Sequence, residues 1–279
     1  MPSPVHLTCC QTAPDIDQRA RTAADMRAAV RHALDCGADV VVLPELASCG
    51  YAFESSEEAR GVAEPRDGET VRSWSAELAG SAAILVGGFC ELGDDGRVFN
   101  SAAVVGADGL LVVYRKAHLW GREPEFFVAG DGAAPVVETP HGRLGVCICY
   151  DLEFPELTRG LALRGADIIV APTNWPRSTP PPGERSMLVT LAMATACLNG
   201  VFVAVCDRTG AERGSEYEGS TVIAGPDGWV LDGPPIDRVN GEVSAQCDIQ
   251  LARDKRTGRF NDAFADRRVD VYDRLDTRR

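Results

Sequence analysis

Short apolar runs that do not alternate with polar residues recur along the chain. Residues 40–43 read Val-Val-Val-Leu and residues 168–171 read Ile-Ile-Val-Ala. Runs of this kind are typical of strands that are covered on both faces. The first run follows a segment with helical periodicity, which we expect to begin after Asp15 as N-cap and to end at Gly37. This succession of helix and buried strand predicts an α/β protein.

The two apolar runs belong to an internal repeat. Residues 37–45 read GADVVVLPE, and residues 165–173 read GADIIVAPT. In each copy a predicted helix precedes Gly-Ala-Asp, a strand follows, and a proline and a polar residue end the strand. Two similar βαβ halves can pack their sheets face to face. We therefore predict a four-layer αββα sandwich.

Periodicity and turn signals place the remaining elements. We predict helices at 69–80, 155–164 and 185–199, and strands at 5–11, 83–90, 98–105, 110–115, 135–138, 143–149, 201–206, 219–224, 229–232 and 243–248. In the last helix we take Met187, Leu191, Ala194 and Leu198 as apolar positions. No stretch has linker composition, so one domain over residues 1–279 is expected, with a core at about 5–250. The charged residues 251–279 are predicted to form an extended tail on their own subunit or on a partner.

Charge and cysteine content exclude some classes of partner. The 279 residues carry a net charge of −13, which argues against a nucleic acid or an anionic membrane as partner. No apolar run approaches the ~18 residues of a membrane span, and the first residues lack a basic region before an apolar one. We expect a cytoplasmic protein whose ten cysteines are reduced. Five of them should be small core residues: Cys9, Cys10, Cys90, Cys206 and Cys247.

The segment GRLGVCICYDLEFPE, residues 142–156, places Cys149 at a predicted strand-to-helix corner. An apolar run precedes the cysteine, and Pro155 suits the first turn of a helix. Such a corner exposes a nucleophile, and the N–H of Tyr150 is available to bind a developing oxyanion. This geometry suits acyl transfer.

Three segments together resemble the nitrilase superfamily of carbon–nitrogen hydrolases. They are GVCICYDLEFPE around Cys149, VVVLPELASCGY at 40–51 and YRKAHLW at 114–120. They stand in the family's order and spacing, and the likeness runs from about residue 5 to residue 250. The resemblance implies the same αββα fold, with Cys149 as nucleophile, Glu45 as general base and acid, and Lys116 as the cation that holds the oxyanion.

These residue types match what hydrolysis of an amide by a thiol requires. A base must take the thiol proton and later protonate the leaving nitrogen, and a cation must stabilise the oxyanion. Glu45 ends a buried strand, so desolvation should raise its pKa toward neutrality. In GREPEFFVAGD, Glu123 matches a further family glutamate that positions Lys116 and the substrate, and Glu125 is the competing assignment.

Each of these residues alone would have an ordinary interpretation. A lone cysteine in an apolar strand is most often a core thiol, and a lone strand-end glutamate or lysine is most often solvated. His118 could instead be a papain-like base, although the resemblance assigns that role to glutamate. Cys147 and Cys149 form no C-x-x-C pair, and the four histidines show no ligand spacing, so we expect neither a metal nor a cofactor. Cys147 should pack beneath the nucleophile.

The predicted function is hydrolysis of a small-molecule amide through a thioester, with release of ammonia or an amine. A nitrilase and an N-carbamoyl hydrolase are the enzymatic alternatives, and a catalytically silent binding or scaffold relative is the non-enzymatic one. Because the implied sandwich leaves helix faces to pair, a homodimer or higher homo-oligomer is expected.

Substrate recognition is predicted at the cavity mouth. Candidate substrate-binding residues are Tyr51, Trp120, Phe126, Tyr150, Asn174 and Trp175. In carbamoyl-amino-acid hydrolases of the resembled family, arginines soon after the nucleophile bind a carboxylate, whereas this chain has Asp151-Leu152-Glu153-Phe154. We therefore expect neutral or cationic amides to be preferred, with Arg177 as the nearby residue that could reverse this.

Overall fold

Two six-stranded sheets form the centre of the computed structural model, which describes residues 4–233 and 241–272. The strands are β1 (Val5–Gln11), β2 (Val40–Val42), β3 (Ile84–Leu92), β4 (Val98–Gly106), β5 (Gly109–Arg115), β6 (Val136–Thr139), β7 (Gly142–Val146), β8 (Ile168–Thr173), β9 (Phe202–Asp207), β10 (Ala211–Glu212), β11 (Ser215–Glu216), β12 (Val222–Ala224), β13 (Val230–Asp232) and β14 (Gly241–Cys247). The α-helices are α1 (Arg19–Asp35), α2 (Ser56–Val62), α3 (Glu69–Glu77), α4 (Pro155–Leu163), α5 (Met187–Asn199), α6 (Ile249–Arg253) and α7 (Val269–Tyr272). Short 3₁₀ helices lie at Ile16–Gln18, Glu123–Glu125 and Cys149–Glu153.

The two sheets have the same topology, as the internal repeat predicts. The first has the order β14-β1-β2-β3-β4-β5 and the second, read from its other edge, β6-β7-β8-β9-β12-β13. In each sheet three parallel strands lie at the centre, flanked by antiparallel strands on both sides. The copies of Gly-Ala-Asp-strand-Pro lead into β2 and β8, which occupy equivalent positions.

Burial on both faces explains why the central strands lack alternation. Val40 and Val42 pack in the core between the sheets, where Leu144 and Ile168 of the second sheet also lie. Val41 and its neighbours on the opposite face pack under α1 and α3. Helices α4 and α5 cover the other sheet. The four-layer αββα prediction is therefore confirmed.

Some elements differ from the sequence prediction. Asp15 caps the 3₁₀ helix at 16–18, accepting from Asp17 N–H, and α1 begins only at Arg19. The short elements α2, β10 and β11 were not predicted, since they lack a long apolar period. Strand β7 ends at Val146, three residues before Cys149.

Helix α5 buries a different face from the one its leucines suggested. Its buried residues are Leu188, Val189, Ala192, Thr195, Ala196 and Asn199. Met187 and Leu198 are instead 59% and 62% exposed. The helix is apolar nearly all round, so the sequence pattern alone could not select the buried side.

The segment after β14 is only partly an extended tail. It forms the short helices α6 and α7, and residues 273–279 of the predicted tail lie outside the described residues. Arg253 pairs with Asp167 at 2.9 Å, and Lys255 Nζ donates to the carbonyl oxygens of Asn199 and Gly200. This part of the segment therefore lies on its own subunit. In the described ranges, no helix has both the length and the apolar character needed to cross a membrane.

Candidate active site

Cys149 stands at a sharp corner between β7 and α4. It begins the 3₁₀ helix Cys149–Glu153, and its backbone has a φ of 47°, in the left-handed region. A non-glycine residue held there costs on the order of 1–3 kcal/mol, so the surrounding structure must stabilise it. The side chain is buried, and the backbone N–H of Asn174 acts to lower the pKa of its thiol. Cys147 is fully buried in the hydrophobic core.

Glu45 follows the end of β2, after Pro44, and is fully buried. Its Oε1 lies 2.6 Å from Lys116 Nζ and accepts from Asn100 Nδ2 at 2.7 Å. Within the described residues no group donates to Oε2. One oxygen is thus fixed by its partners, while the other is left to exchange a proton.

A glycine on β3 allows this close approach. A Cβ added to Gly88 would lie 2.6 Å from Glu45 Cα, far inside van der Waals contact. Leu46, the next residue, has a φ of 48°. The chain therefore turns sharply after Glu45 and packs directly on the backbone of Gly88, which fixes the carboxylate relative to the sheet.

Lys116 directly follows β5 and is also buried. Its ammonium group donates to Glu45 Oε1 at 2.6 Å and to Glu123 Oε1 at 2.7 Å. An ammonium has three protons, so one remains after these two contacts. Burial alone would lower the pKa of Lys116, but Glu45, Cys149 and Glu123 together raise it above its usual value. The group therefore remains a cation across the neutral range.

Opposing effects set the pKa of Glu45. Burial raises it most, Lys116 lowers it, and Glu123 raises it again, leaving the pKa at about 7. Burial and the charge on Glu45 raise the pKa of the Cys149 thiol well above its ordinary value, against the lowering effect of Lys116. The resting thiol is accordingly protonated, and a base must remove its proton.

The two competing glutamates have different surroundings. Glu123 is buried, and beside its contact with Lys116 it accepts from Tyr51 OH at 2.6 Å and from Trp120 N–H at 3.0 Å. Glu125 is exposed and pairs with Arg122 at 2.8 Å. The structure thus brings Glu123, and not Glu125, to the lysine.

A second network, centred on the buried Asp151, joins the lysine strand to the cysteine corner. Its Oδ2 accepts from Ile148 N–H at 3.0 Å and from Tyr114 OH at 2.9 Å, while its Oδ1 accepts from His118 N–H at 3.0 Å. The His118 ring has Nδ1 2.7 Å from Asp151 Oδ1 and stacks on Phe154 at 3.6 Å. These contacts place His118 in the network that supports the corner, which does not favour its interpretation as the base.

A cavity of about 230 Å³ opens at Cys149. It is lined by Trp120, Cys149, Tyr150, Glu153, Asn174, Trp175, Pro176, Arg177 and Ser178. Asn174 is buried, and both polar atoms of its amide lack a hydrogen-bond partner within the described residues. A buried amide without partners is costly, so a ligand with its own donor and acceptor would satisfy it. A neighbouring cavity of about 390 Å³ contains Tyr51, Phe126 and Glu123 and shares Trp120 with the first.

Comparison with known proteins identifies the family of the chain. The sequence profile described as carbon-nitrogen hydrolase matches residues 6–257 of the chain. The chain belongs to this family. It is 39% identical to a protein named nitrilase from Pyrococcus abyssi, over 87% of this chain and 89% of that one. It is 32% identical to an (R)-stereoselective amidase from a Pseudomonas species, over 83% and 80% of the two chains.

Solved structures show the same fold. The crystal structure of an amidase from a Nesterenkonia species superposes with a TM-score of 0.79 at 23% identity, covering 98% of this chain and 97% of the other. The resemblance inferred from the three segments and the predicted architecture are both confirmed. The chain is therefore an enzyme of the carbon–nitrogen hydrolase family.

Several residues that shape the site of this hydrolase were not predicted. Asn100, the third residue of β4, donates to Glu45 and lies 3.5 Å from Glu123 Oε1. The available signal was the polar pair Asn100-Ser101 in a strand that is otherwise apolar. Asp207, at the end of β9, accepts from Trp175 N–H at 2.8 Å and from Ser220 N–H at 2.9 Å. It therefore holds the turn that follows Asn174.

A buried ion pair supports the Tyr51 segment. Arg208 Nη1 lies 2.6 Å from Glu212 Oε2, and both side chains are buried. Glu212 also accepts from the backbone N–H groups of Ile16, Tyr51 and Ala52. This pair fixes the backbone from which Tyr51 reaches Glu123.

One group of side chains in the described residues could hold a metal ion. It comprises His32, Cys36 and Glu242, whose ligand atoms lie within 4.8 Å of one another. His32 lies in the last turn of α1 and Cys36 is the residue that caps this helix, four positions later. The spacing of the histidines alone does not reveal this pair, so it was missed in the sequence. None of the three lines the cavity at Cys149, so they have no part in the candidate active site.

Proposed function

We propose that this hydrolase cleaves the amide bond of a small molecule through a thioester on Cys149. The observation that carries the proposal is a protonated thiol at the cavity in the electrostatic field of Glu45, whose pKa is about 7 and whose Oε2 has no donor within the described residues. A carboxylate with this pKa can both accept and return a proton near neutral pH. The amidase name of the Pseudomonas relative supports the same reaction.

Acylation uses the three buried charged groups in distinct roles. Glu45 takes the thiol proton as Cys149 Sγ attacks the amide carbonyl carbon, and the carbonyl oxygen becomes an oxyanion. The remaining proton of Lys116 and the N–H of Tyr150 stabilise this oxyanion. Glu45 then gives its proton to the nitrogen, the C–N bond breaks, and ammonia or an amine leaves.

Deacylation repeats the same steps with water as nucleophile. Glu45 takes a proton from water as the water oxygen attacks the thioester carbonyl, and the oxyanion occupies the same position as before. The C–S bond then breaks, and the thiolate recovers the proton from Glu45. The products are a carboxylic acid and the free enzyme, with no oxidation or reduction.

In this mechanism Glu123 fixes the position of Lys116, and Asn174 binds the substrate. Glu123 accepts from Lys116 beside Glu45 and is itself fixed by Tyr51 OH. The unpartnered amide of Asn174 offers a donor and an acceptor to the substrate. Tyr150, Trp120 and Trp175 line the cavity as apolar contacts for the acyl group.

Nitrile hydrolysis is the second candidate, because the Pyrococcus relative carries the name nitrilase. The same thiol could add to a nitrile carbon, so the chemistry of the cysteine does not separate the two substrates. An N-carbamoyl amino acid would require a group that binds its carboxylate. Arg177, the basic residue of the cavity, is already paired with Glu216 at 3.1 Å.

A panel of small amides, the matching nitriles and N-carbamoyl amino acids tests the proposal by ammonia release and acid formation. We expect turnover of amides by the wild-type enzyme, none by Cys149→Ala, and retained turnover by the matched control Cys147→Ala. Each variant's circular dichroism should match the wild type. Equal turnover by Cys149→Ala, or acid formation from nitriles alone, would contradict the proposed reaction. Binding of amides without turnover would contradict it as well.

A further inference from the structure

The cavity at Cys149 contains a carboxylate without a counter-charge. Glu153 lines this cavity. Its side chain is exposed to solvent, and within residues 4–233 and 241–272 no hydrogen bond or ion pair engages it. A carboxylate with no partner attracts a cation that approaches it.

The one basic side chain that lines the same cavity, among the described residues, is already neutralised. Arg177 Nη1 lies 3.1 Å from Glu216 Oε2, and its backbone N–H donates to the Glu216 carbonyl oxygen. Both side chains are well exposed, so the pair itself adds little stability. It nevertheless cancels the positive charge at the rim, and the cavity is left with the negative charge of Glu153.

Aromatic side chains add a second feature that favours a cation. Trp120, Tyr150 and Trp175 line the cavity with Glu153. Cations are attracted to the faces of such rings, most strongly to tryptophan. A carboxylate beside several aromatic rings is a suitable environment for an ammonium or a guanidinium group.

The distance from the nucleophile limits the length of the substrate. Cys149 and Glu153 are the first and last residues of one 3₁₀ helix. At a rise of about 2 Å per residue their backbones are about 8 Å apart. An acyl chain of roughly four to six carbons would reach from a thioester at Cys149 to a cation at Glu153 over such a distance.

We propose that Glu153 determines specificity by binding an ammonium or guanidinium group at the far end of the acyl chain of the amide substrate. This inference rests on the proposed amide hydrolysis and narrows it to amides of ω-amino acids. The cation of the substrate pairs with Glu153 and lies against the tryptophans, while its amide group lies at Cys149 and Asn174. Glu153 takes no part in bond breaking.

Three amides of one chain length test the assignment. They are 5-aminopentanamide, which is a cation, 5-hydroxypentanamide, which is neutral, and the monoamide of glutaric acid, which is an anion. We expect kcat/KM to be about fivefold higher for the cation than for the neutral amide at low ionic strength, and lowest for the anion. Added salt should reduce the difference.

Variants that remove one negative charge distinguish a local contact of the substrate with Glu153 from the general electrostatic field of the protein. Glu153→Gln should abolish the preference for the cation by raising KM for 5-aminopentanamide. Glu156→Gln removes the same charge from an exposed position on α4 that does not line the cavity, so it should retain the preference. Glu216→Gln should release Arg177 and raise kcat/KM for the anion.

The outcomes distinguish this inference from the proposed function. Equal kcat/KM for the three amides, a wild-type preference for the anion, or equal effects of Glu153→Gln and Glu156→Gln would overturn the role of Glu153 while leaving amide hydrolysis intact. If another amide is the better substrate, inhibition of its hydrolysis by the cation pentylamine is compared with inhibition by the neutral 1-pentanol. The cation is again expected to bind more tightly. An enzyme that hydrolyses no amide contradicts the proposed function and with it this assignment.

Discussion

At Glu45, burial and charge act in opposite directions on a single carboxyl group. Burial raises its pKa, Lys116 lowers it, and Glu123 raises it, with a net value of about 7. Full neutralisation by the lysine would leave a weak base, and burial without the lysine would leave a group protonated at all working pH values. A pKa between these limits lets the side chain of Glu45 act as base and then as acid.

The first prediction concerns pH. Because the base must be ionised, kcat/KM should fall as the pH drops through about 7. Because the pKa of Lys116 is raised, this side chain should stay charged above neutral pH. Deprotonation of Lys116 should therefore cause no loss of kcat/KM in that range. A pH profile of kcat/KM for a neutral amide measures this decrease below about pH 7, which is the acidic limb of the profile.

A control is needed because a second buried carboxyl has a similar pKa. Burial raises the pKa of Asp207 to about 7 as well, although the N–H groups of Trp175 and Ser220 oppose it. Asp207→Asn should therefore retain the limb near pH 7 even if its activity is reduced. Disappearance of the limb in this variant would assign it to Asp207 and contradict the role of Glu45.

The second prediction distinguishes the two glutamates of one loop. Glu123→Gln removes a charged partner of Lys116 and should lower kcat/KM by about 10²-fold, comparable with loss of an oxyanion donor. Glu125→Gln removes only an exposed pair with Arg122 and should stay within about twofold of wild type. Steady-state kinetics of the two variants decide the assignment, and the reverse order of effects would select Glu125.

At the scale of elements, the site depends on how the ends of β2, β5, β7 and β8 meet. Asp151 connects two of them, because it accepts from Ile148 N–H before the cysteine and from His118 N–H after the lysine. It thereby ties the position of Lys116 to that of Cys149. Small displacements of reacting groups cost large factors in rate.

The third prediction tests this connection. Asp151→Asn replaces one acceptor oxygen by a donor, so a contact to the corner or to the lysine strand is lost. We expect kcat/KM to fall by about 10²-fold, with the limb near pH 7 retained because Glu45 is unchanged. Tyr114→Phe removes a single donor and keeps the carboxylate, so its loss should be smaller. Full activity in Asp151→Asn would contradict a positioning role.

How much of the site the sequence could predict depended on the range of its contacts. Glu45, Lys116 and Cys149 each stand inside a local segment with a distinctive pattern, so the sequence predicted them. Asn100 contacts Glu45 across 55 positions, and Asp151 contacts His118 across 33. Such contacts depend on strand register, which no local pattern specifies.

The fold, like the site, could be predicted from the sequence only in part. The repeated Gly-Ala-Asp-strand-Pro pattern predicted two equivalent halves, and the two sheets have matching order. Helix α5 is apolar on nearly every side, so its buried face was assigned incorrectly. The positive φ of Cys149 also had no sequence signal, because only glycine usually indicates that region.

At the scale of the whole molecule, the exposed apolar residues of α5 bear on assembly. Met187 and Leu198 are each more than half exposed on an outer helical layer. Leu191 and Ala194 lie between them on the same side of α5, and a continuous exposed apolar surface is typical of a subunit interface. We predict a homodimer that covers this helix. The single-domain organisation likewise stays a prediction.

The fourth prediction measures this assembly. Light scattering at micromolar concentration should give about 60 kDa, twice the 29.8 kDa of one chain. Leu198→Asp should shift the species toward the monomer, whereas Leu111→Asp, a comparably exposed position on β5, should not. A wild-type monomer at this concentration would contradict the expected dimer.

The central claim is that Cys149 carries the acyl group, and trapping that intermediate tests it most directly. The enzyme is mixed with an amide that it hydrolyses, and the reaction is quenched in acid within milliseconds. The intact mass of the protein is then measured. We predict a mass increase equal to the substrate less ammonia, or less the amine. Fragmentation of the tryptic peptide 144–159, which contains both cysteines of the corner, should place the adduct on Cys149 and not on Cys147. An adduct on another residue, or rapid turnover with no adduct at any quench time and no burst of ammonia, would contradict the thioester mechanism.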